Sequence, residues 1–167
     1  MTENVRRILV PVDFSGQSER ATQYACDLAA HLGAGIELLH VVDDPFLSTL
    51  WGPGIDGGKS VEPLDRRVAH ASSKLIEVAA VARQHRVPVQ FVILEGTPAR
   101  MIARHAAAFG FDLIVMGTHG RRGLAHLIHG SVAEKVRRTA CCPVLTLKPE
   151  DSTDRMVHDI EFAQVVV

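Results

Sequence analysis

The sequence lacks the features that would assign it to a membrane, to a nucleic acid or to an oxidising compartment. It contains only three cysteines among 167 residues, and an odd number with two adjacent is a poor disulfide framework. No apolar run approaches the roughly 20 residues that a membrane-spanning helix needs, and the first residues lead straight into a strand pattern, which argues against a secretory signal. The formal net charge of −1 gives no reason to expect nucleic acid or an anionic membrane as a partner. These absences predict a soluble, cytoplasmic protein.

The length and composition are those of one globular domain. Apolar residues make up 47% of the chain and charged residues 22%, which is ordinary for a soluble protein. A chain of this length can bury one core but is too short for two comfortable domains. The adjacent Cys141 and Cys142 could form a metal or redox pair, but no Cys-x-x-Cys motif accompanies them. We interpret them as small residues that enter a strand before Pro143.

Strand and helix patterns alternate along the chain. Five short runs rich in apolar residues predict strands, at 8–12, 36–42, 89–94, 113–116 and 144–147. The first is continuously apolar, as expected of a strand that is buried on both faces of a parallel sheet. Helical patterns separate them: one capped by Ser15 or Ser18 and ended by Gly33, one from about Leu64 to His85, one from Pro98 to Gly110, and one after Ser131. The alternation predicts an α/β protein with an open, mostly parallel sheet.

Two segments fall outside this alternation. Residues 43–63 are polar and rich in glycine and proline, which predicts a long mobile loop. Within it, residues 52–60 resemble the end of a Walker loop, but Pro53 occupies the position of the first required glycine, so we reject that interpretation. The predicted domain covers residues 1–148. In the remaining 149–167, an apolar strand pattern at 160–167 must pair with an edge of its own sheet or with a partner subunit.

The most informative stretch lies between the fourth predicted strand and the last predicted helix. Gly117 and Gly120 stand three residues apart, and Gly130-Ser131 follows ten residues later. Glycine lets the backbone approach a ligand closely and present its N–H groups. The positive end of the following helix favours an anion, most often a phosphate. The spacing fits neither a dinucleotide fingerprint nor a Walker loop, but its strand-to-helix setting favours phosphate binding.

A second candidate residue, Asp13, follows the first predicted strand. In open α/β sheets, ligands bind beyond the carboxyl ends of the strands, at the point where the strand order reverses. If the first and fourth strands are neighbours at that point, Asp13 and the glycine motif that starts at Gly117 converge on one crevice. The spacing alone leaves that adjacency open.

Each of these residues also has a purely structural interpretation. Ser131 and Glu134 form a capping box, which is useful without any ligand and compatible with one. Gly117 and Gly130 could simply permit turns, and Asp13 could cap the first helix. The combination of the glycines with the strand-to-helix setting favours binding over these alternatives.

The charged residues beside the motif are open to two interpretations. Arg121 and Arg122 could neutralise phosphate charge, although exposed loop arginines are usually solvated. His126 and His129 stand three residues apart, but no acidic or third ligand follows at a fitting spacing, so we assign no metal site to the protein's own side chains. No catalytic base is evident in the sequence, so we assign no catalytic residue.

With these motifs, the chain resembles the universal stress protein family over about residues 6–147. The resemblance rests on Ile8-Leu-Val-Pro-Val-Asp13-Phe-Ser15, Leu39-His-Val-Val42, Asp112-Leu-Ile-Val-Met-Gly117, Gly130-Ser-Val-Ala-Glu-Lys-Val136 and Cys142-Pro-Val-Leu-Thr-Leu147. It implies a Rossmann-like, five-stranded parallel sheet in the order 3-2-1-4-5, with helices on both faces and the first and fourth strands adjacent. It also implies a homodimer, commonly joined along the last strand.

The resemblance further implies an ATP site with a divalent cation, Mg²⁺ or Mn²⁺, held through the phosphates. Carried over position by position, it places Asp13 and Val41 near the adenine and ribose, with Pro11 and Val12 lining that end. The residues that would border the ribose and α-phosphate are Met116, Gly117, His119 and Gly120. Those that would hold the β- and γ-phosphates are Gly130, Ser131 and Val132. The intact motif favours the nucleotide-binding branch of the family.

The function that we expect from these features is that of an ATP-binding, stress-response regulator. Bound nucleotide would bias the dimer or its surface toward a protein partner that the sequence does not identify. One alternative is a slow ATPase, in which a cation and Arg121 or Arg122 stabilise the transition state. Hydrolysis also needs a group that orients water against the γ-phosphate, whereas Asp13 is expected near the adenine and ribose, at the other end of the nucleotide. A dimeric scaffold without nucleotide is the other alternative.

Overall fold

The computed structural model describes residues 5–43, 62–118 and 131–148. Five strands form one sheet: β1 is Arg7–Pro11, β2 is Gly35–Val42, β3 is Val89–Glu95, β4 is Leu113–Gly117 and β5 is Val144–Leu147. Their order is β3-β2-β1-β4-β5, and all pairs are parallel. The predicted sheet and the strand order that the family resemblance implied are therefore confirmed. Most of the predicted loop at 43–63 and all of the predicted strand at 160–167 lie outside the described residues.

Within the described ranges, four helices lie between these strands: α1 is Gly16–Leu32, α2 is Leu64–Gln84, α3 is Pro98–Phe109 and α4 is Ser131–Thr139. Ser15, rather than Ser18, is the N-cap of α1, and its side chain accepts a hydrogen bond from the Ser18 N–H. Gly33 ends α1 and Gly110 ends α3, with φ angles of 66° and 62° that glycine adopts without strain. Both predicted helix ends are confirmed.

The helices cover both faces of the sheet and divide the core into two layers. On one face, α1 and α2 pack against Ile8 and Val10 of β1, and α2 contributes Leu75 to this layer. On the other face, α3 and α4 pack against Leu9 and Ile114. Neighbouring strand residues point to opposite faces, so the consecutive apolar residues of β1 supply side chains to both layers. No helix in the described part of the chain is long and apolar enough to cross a membrane.

The layer under α3 contains a polar pair, in which His105 is buried and Glu37 is partly buried. The Nε2 atom of His105 on α3 hydrogen-bonds to Oε1 of Glu37 on β2, and the two side chains are 8% and 15% exposed. The His105 ring also packs against Phe109 and Phe111, with ring centroids 4.5 and 5.8 Å apart. Buried polar side chains are tolerated when each satisfies the other. The pair therefore links α3 specifically to β2.

The strand order reverses at β1, which lies in the middle of the sheet. From β1 the chain passes through α1 to β2 on one side, whereas β4 pairs with β1 on the other side, with Ile8 opposite Leu113. The boundary between β1 and β4 is therefore the topological switch point of the sheet. The adjacency that the sequence left open is confirmed.

Candidate functional site

The ends of β1 and β4 lie side by side at the carboxyl edge of the sheet. Val12 is buried, and its N–H donates to the Leu39 carbonyl of β2 at 2.8 Å. Pro11 and Asp13, on either side of it, are half-buried. Together, the ends of β1, β2 and β4 bring six of the predicted site residues to this edge, namely Pro11, Val12, Asp13, Val41, Met116 and Gly117.

The turn between β1 and α1 is built around Asp13. Its Oδ1 atom accepts hydrogen bonds from the Ser15 N–H at 3.0 Å and from the Ser15 hydroxyl at 2.6 Å. A side chain that accepts from the backbone two residues further on forms an Asx turn. Since Ser15 is the N-cap of α1, the interpretation in which Asp13 itself caps the helix is wrong. Asp13 instead orients the capping residue, and Ser15 in turn holds the carboxylate at the end of β1.

Phe14, inside this turn, has an unusual backbone conformation. Its φ of 62° lies in the left-handed region, which costs a non-glycine residue about 1–3 kcal/mol and persists only where the surroundings impose it. The Phe14 ring packs on His40 with centroids 4.5 Å apart, and the Lys74 ammonium lies 5.5 Å from the Phe14 ring centroid. Nδ1 of His40 is 2.7 Å from the Val12 carbonyl oxygen, which can only accept, so this nitrogen carries the proton and donates the hydrogen bond. Contacts from β2 and α2 thus fix the turn.

Gly117 ends β4 directly against the first turn of α1. A Cβ atom on Gly117 would lie 3.0 Å from Cβ, 3.1 Å from the carbonyl oxygen and 3.2 Å from the carbonyl carbon of Gln17. All three distances are shorter than ordinary van der Waals contact, and two of the atoms belong to the backbone. The φ of Gly117 is not positive, so a turn is not what requires glycine here. The close approach of α1 requires it, and Gln17 is a neighbour that the sequence did not reveal.

The glycine motif begins where the end of β4 is hydrogen-bonded to the end of β5. Thr118 is buried, and its N–H and hydroxyl both donate to the Leu147 carbonyl, at 3.0 and 3.2 Å. Ser131 is the first residue of α4, and Val132 packs against the core layer under α3 and α4. The other residues named from the sequence in this stretch lie outside the described residues: His119, Gly120, Arg121, Arg122, His126, His129 and Gly130. Their roles stay predictions.

The electrostatics of this edge suit a polar ligand with an anionic end. Because α4 follows β4 and precedes β5, its N-terminus lies at the carboxyl edge, where the positive end of the helix dipole favours an anion. The Asp13 carboxylate lies at the end of β1. In the described ranges, no three histidine, cysteine or acidic residues are grouped so that they could hold a metal ion.

The thiols lie away from this edge. Burial raises the pKa of the Cys26 thiol to about 11, and burial together with the neighbouring Cys141 raises the pKa of Cys142 to about 12. Thiols with raised pKa values are poor nucleophiles and poor metal ligands at neutral pH, because the thiolate is the reactive form. Cys142 packs against the core, whereas Cys141 is exposed. These properties support the interpretation of Cys142 as a packing residue.

Known proteins resemble this chain in both sequence and fold. A model of the universal stress protein family matches residues 4–148. Universal stress protein MJ0531 of Methanocaldococcus jannaschii is 34% identical over 145 residues, which cover 86% of this chain and 82% of that protein. The solved structure of MJ0577, from the same organism, superposes with a TM-score of 0.74 at 26% identity and covers 89% of this chain and 99% of that chain.

A second solved structure agrees in fold. It is a universal stress protein in complex with cAMP, with a TM-score of 0.66 over 86% of this chain and 97% of that chain, and its 20% identity makes the likeness one of fold alone. The residues matched by the family model include all five strands, the turn at Asp13 and the start of α4. The chain therefore belongs to the universal stress protein family.

Proposed function

We propose that this chain binds ATP, with Mg²⁺ or Mn²⁺, at the carboxyl edge of its sheet and acts as a nucleotide-dependent regulator in a stress response. The observation that carries the proposal is the adjacency of β1 and β4. It puts Asp13, Gly117 and the N-terminus of α4 at the switch point, where open α/β sheets bind ligands. The glycine spacing and membership of the family support the same ligand.

At the base end of the site, the nucleoside would meet Asp13 and the backbone of Val41, with Pro11 and Val12 as the lining. The two hydrogen bonds from Ser15 hold the Asp13 carboxylate in one orientation. A preorganised acceptor loses less entropy on binding, and an ionised acceptor forms stronger hydrogen bonds with N–H and O–H donors. We assign Val12 a lining role because its own N–H is already bonded to β2.

At the other end of the site, the triphosphate would lie along the glycine motif and the start of α4. The N–H groups in the first turn of a helix have no partners within the helix, and the helix dipole adds attraction for an anion. Gly130, Ser131 and Val132 would bind the β- and γ-phosphates. The residues that would border the ribose and α-phosphate are Met116, Gly117, His119 and Gly120. Arg121 and Arg122 would add positive charge, and phosphate oxygens would hold the cation.

The same proposal includes a cytoplasmic homodimer whose surface responds to the bound nucleotide. β5 lies at one end of the strand order, and an edge strand carries a row of N–H and C=O groups that a second copy can pair with. Pairing along β5 would place the dimer interface one strand away from β4, where the glycine motif begins. A protein partner would then recognise the nucleotide-loaded surface. The cAMP in the fold relative is also an adenine nucleotide, which is compatible with this class of ligand.

Calorimetric titration of the purified chain with MgATP tests the proposal. We expect saturable binding by the wild type and at least a roughly tenfold weaker affinity in Gly130→Val, since the branched side chain would fill the space of the phosphates. Ala80→Val is the matched control, because it adds bulk on the exposed side of α2. Undiminished affinity in Gly130→Val, with circular dichroism showing an intact fold, would contradict the site assignment.

A further inference from the structure

A groove of about 470 Å³ runs between α3 and α4. On α3 it is lined by small side chains at every fourth position, which fall on one side of a helix. Long cationic side chains stand beside them on α3 and opposite them on α4. We call this feature the basic groove and define it by Ala99, Ala103 and Ala107 together with Arg100, Arg104 and Lys135.

No acid among the described residues balances the positive charge of the basic groove. Arg100, Arg104 and Lys135 are all exposed, and no carboxylate of the described residues lies within 4.0 Å of their cationic groups. Glu134, the acidic residue of α4, pairs with Arg137 instead, at 3.4 Å. An apolar floor with a cationic rim is complementary to a segment that carries both carboxylates and apolar side chains.

The chain contains a segment of this chemistry. Residues 149–167 carry five carboxylate side chains and one arginine, a formal charge of −4, whereas residues 1–148 carry +3. Acidic and apolar residues alternate in Asp159-Ile160-Glu161-Phe162. Such a segment can present carboxylates to the rim of the basic groove and apolar side chains to its alanine floor. The charge asymmetry between the two parts of the chain therefore favours an intramolecular occupant.

The segment also begins at a suitable place and is long enough. β5 ends at Leu147 on the carboxyl edge of the sheet, and α3 begins at Pro98 on the same edge. The 12 residues of α3 are about 18 Å long, whereas the 19 residues after Lys148 can extend over about 60 Å. Tethering gives such a segment an effective concentration in the ~mM range, which a separate acidic partner would not reach.

We propose that residues 149–167 dock into the basic groove of their own subunit, through ion pairs between their carboxylates and the side chains of Arg100, Arg104 and Lys135. The docked segment covers the outer side of α3 and α4 and leaves the carboxyl ends of β1 and β4 accessible. Pairing of residues 160–167 with a sheet edge or a partner subunit, as the strand pattern predicts, is the competing arrangement.

Zero-length carbodiimide cross-linking of the full chain tests this docking. The reagent joins an amine to a carboxylate only where the two are in contact, so Lys135 should couple to Asp159 or Glu161. After trypsin, the product is a peptide of residues 123–137 joined to a peptide of residues 156–167, which mass spectrometry identifies. In a mixture of ¹⁵N-labelled and unlabelled chains, an intramolecular product contains two peptides of the same isotope composition.

A charge-reversal variant and its control sharpen the test. Arg100→Glu with Arg104→Glu should lower the cross-linking yield about fivefold, in keeping with the modest strength of exposed ion pairs, and about 0.5 M salt should lower the wild-type yield because it screens them. Arg66→Glu with Arg83→Glu makes the same change in net charge on exposed positions of α2, across the sheet from the basic groove. This control should leave the yield unchanged.

Hydrogen exchange provides a second measurement that does not depend on the coupling chemistry. Amides in residues 149–167 should exchange about fivefold faster in the groove variant than in the wild type or in the α2 control, because docking protects them. Equal exchange in all three proteins would overturn the proposal. So would products of mixed isotope composition, absence of any product between Lys135 and the segment, or equal losses of yield in the two variants.

Discussion

Gly117→Ala probes the contact that holds the start of the glycine motif against α1. The added Cβ would lie 3.0–3.2 Å from three atoms of Gln17. Two of these atoms are backbone, so a side-chain rotation cannot relieve the contact. The turn that leads into α1 is also firmly held. Ser15 caps the helix and donates a hydrogen bond to the Asp13 carboxylate, and the Ser18 hydroxyl donates to the Ser15 carbonyl at 2.9 Å. Either α1 or the end of β4 must therefore shift by a few tenths of an ångström.

Two opposing effects set the change in the free energy of unfolding that Gly117→Ala should cause. Inserting a methyl group into a packed contact costs about 1–3 kcal/mol. Replacing glycine with alanine also restricts the unfolded chain, which offsets about 0.4–1 kcal/mol of that cost. We therefore expect the free energy of unfolding to fall by about 1–2 kcal/mol, which corresponds to a decrease in Tm of about 2–8 °C for a domain of this size.

Urea unfolding, followed by circular dichroism, measures this change directly. Gly16→Ala is the matched control, because it lies at the first position of α1 and a Cβ there would meet nothing within 4 Å. We expect the control to be as stable as the wild type or slightly more stable, since glycine is a poor helix residue. A Gly117→Ala variant as stable as the control would refute the packing explanation of this glycine.

Two further predictions concern the His105–Glu37 pair and the thiols. Glu37→Leu should lower the free energy of unfolding by about 1–3 kcal/mol, because the buried His105 imidazole loses its partner. Urea unfolding of the double variant Glu37→Leu with His105→Leu should show part of this stability recovered. Losses of the two single variants that simply add in the double variant would count against the pairing. Iodoacetamide at pH 8 should label Cys141 well before Cys26 or Cys142, since a thiol with a pKa of about 11 is ionised there to only about one part in a thousand. Labelling of Cys26 and Cys142 should accelerate as the pH rises toward their pKa values or after unfolding. Equal rates for all three thiols in the folded protein at pH 8 would contradict the assignment.

The elements of the fold were predictable because their signals are local. A strand between two helical layers buries side chains on both of its faces, so the continuous apolar run at 8–12 was recognisable without any knowledge of its neighbours. Gly33 and Gly110 mark helix ends because the left-handed conformation there suits glycine. The order of the strands is not a local property. It followed from the family resemblance, and the pairing of β1 with β4 confirms it.

The contacts that shape the candidate site depend on which elements pack together. Nothing in the run Val12-Asp13-Phe14-Ser15 shows that Phe14 adopts a positive φ, because the cause is packing against a histidine 26 residues further along the chain. The role of Gly117 was also only partly predictable. The sequence indicated close approach to a ligand or a turn, whereas the structure shows close approach to Gln17 on α1.

An NMR titration of ¹⁵N-labelled protein with MgATP tests the central claim, that the ligand binds at the switch point between β1 and β4. We expect saturable shifts of the amide signals of Asp13, Gly117 and Val132 at the carboxyl edge. The amides of Gly35 and Asp112 at the opposite edge should keep their positions. Shifts that cluster at the amino edge, or an unchanged spectrum at saturating MgATP, would contradict the account.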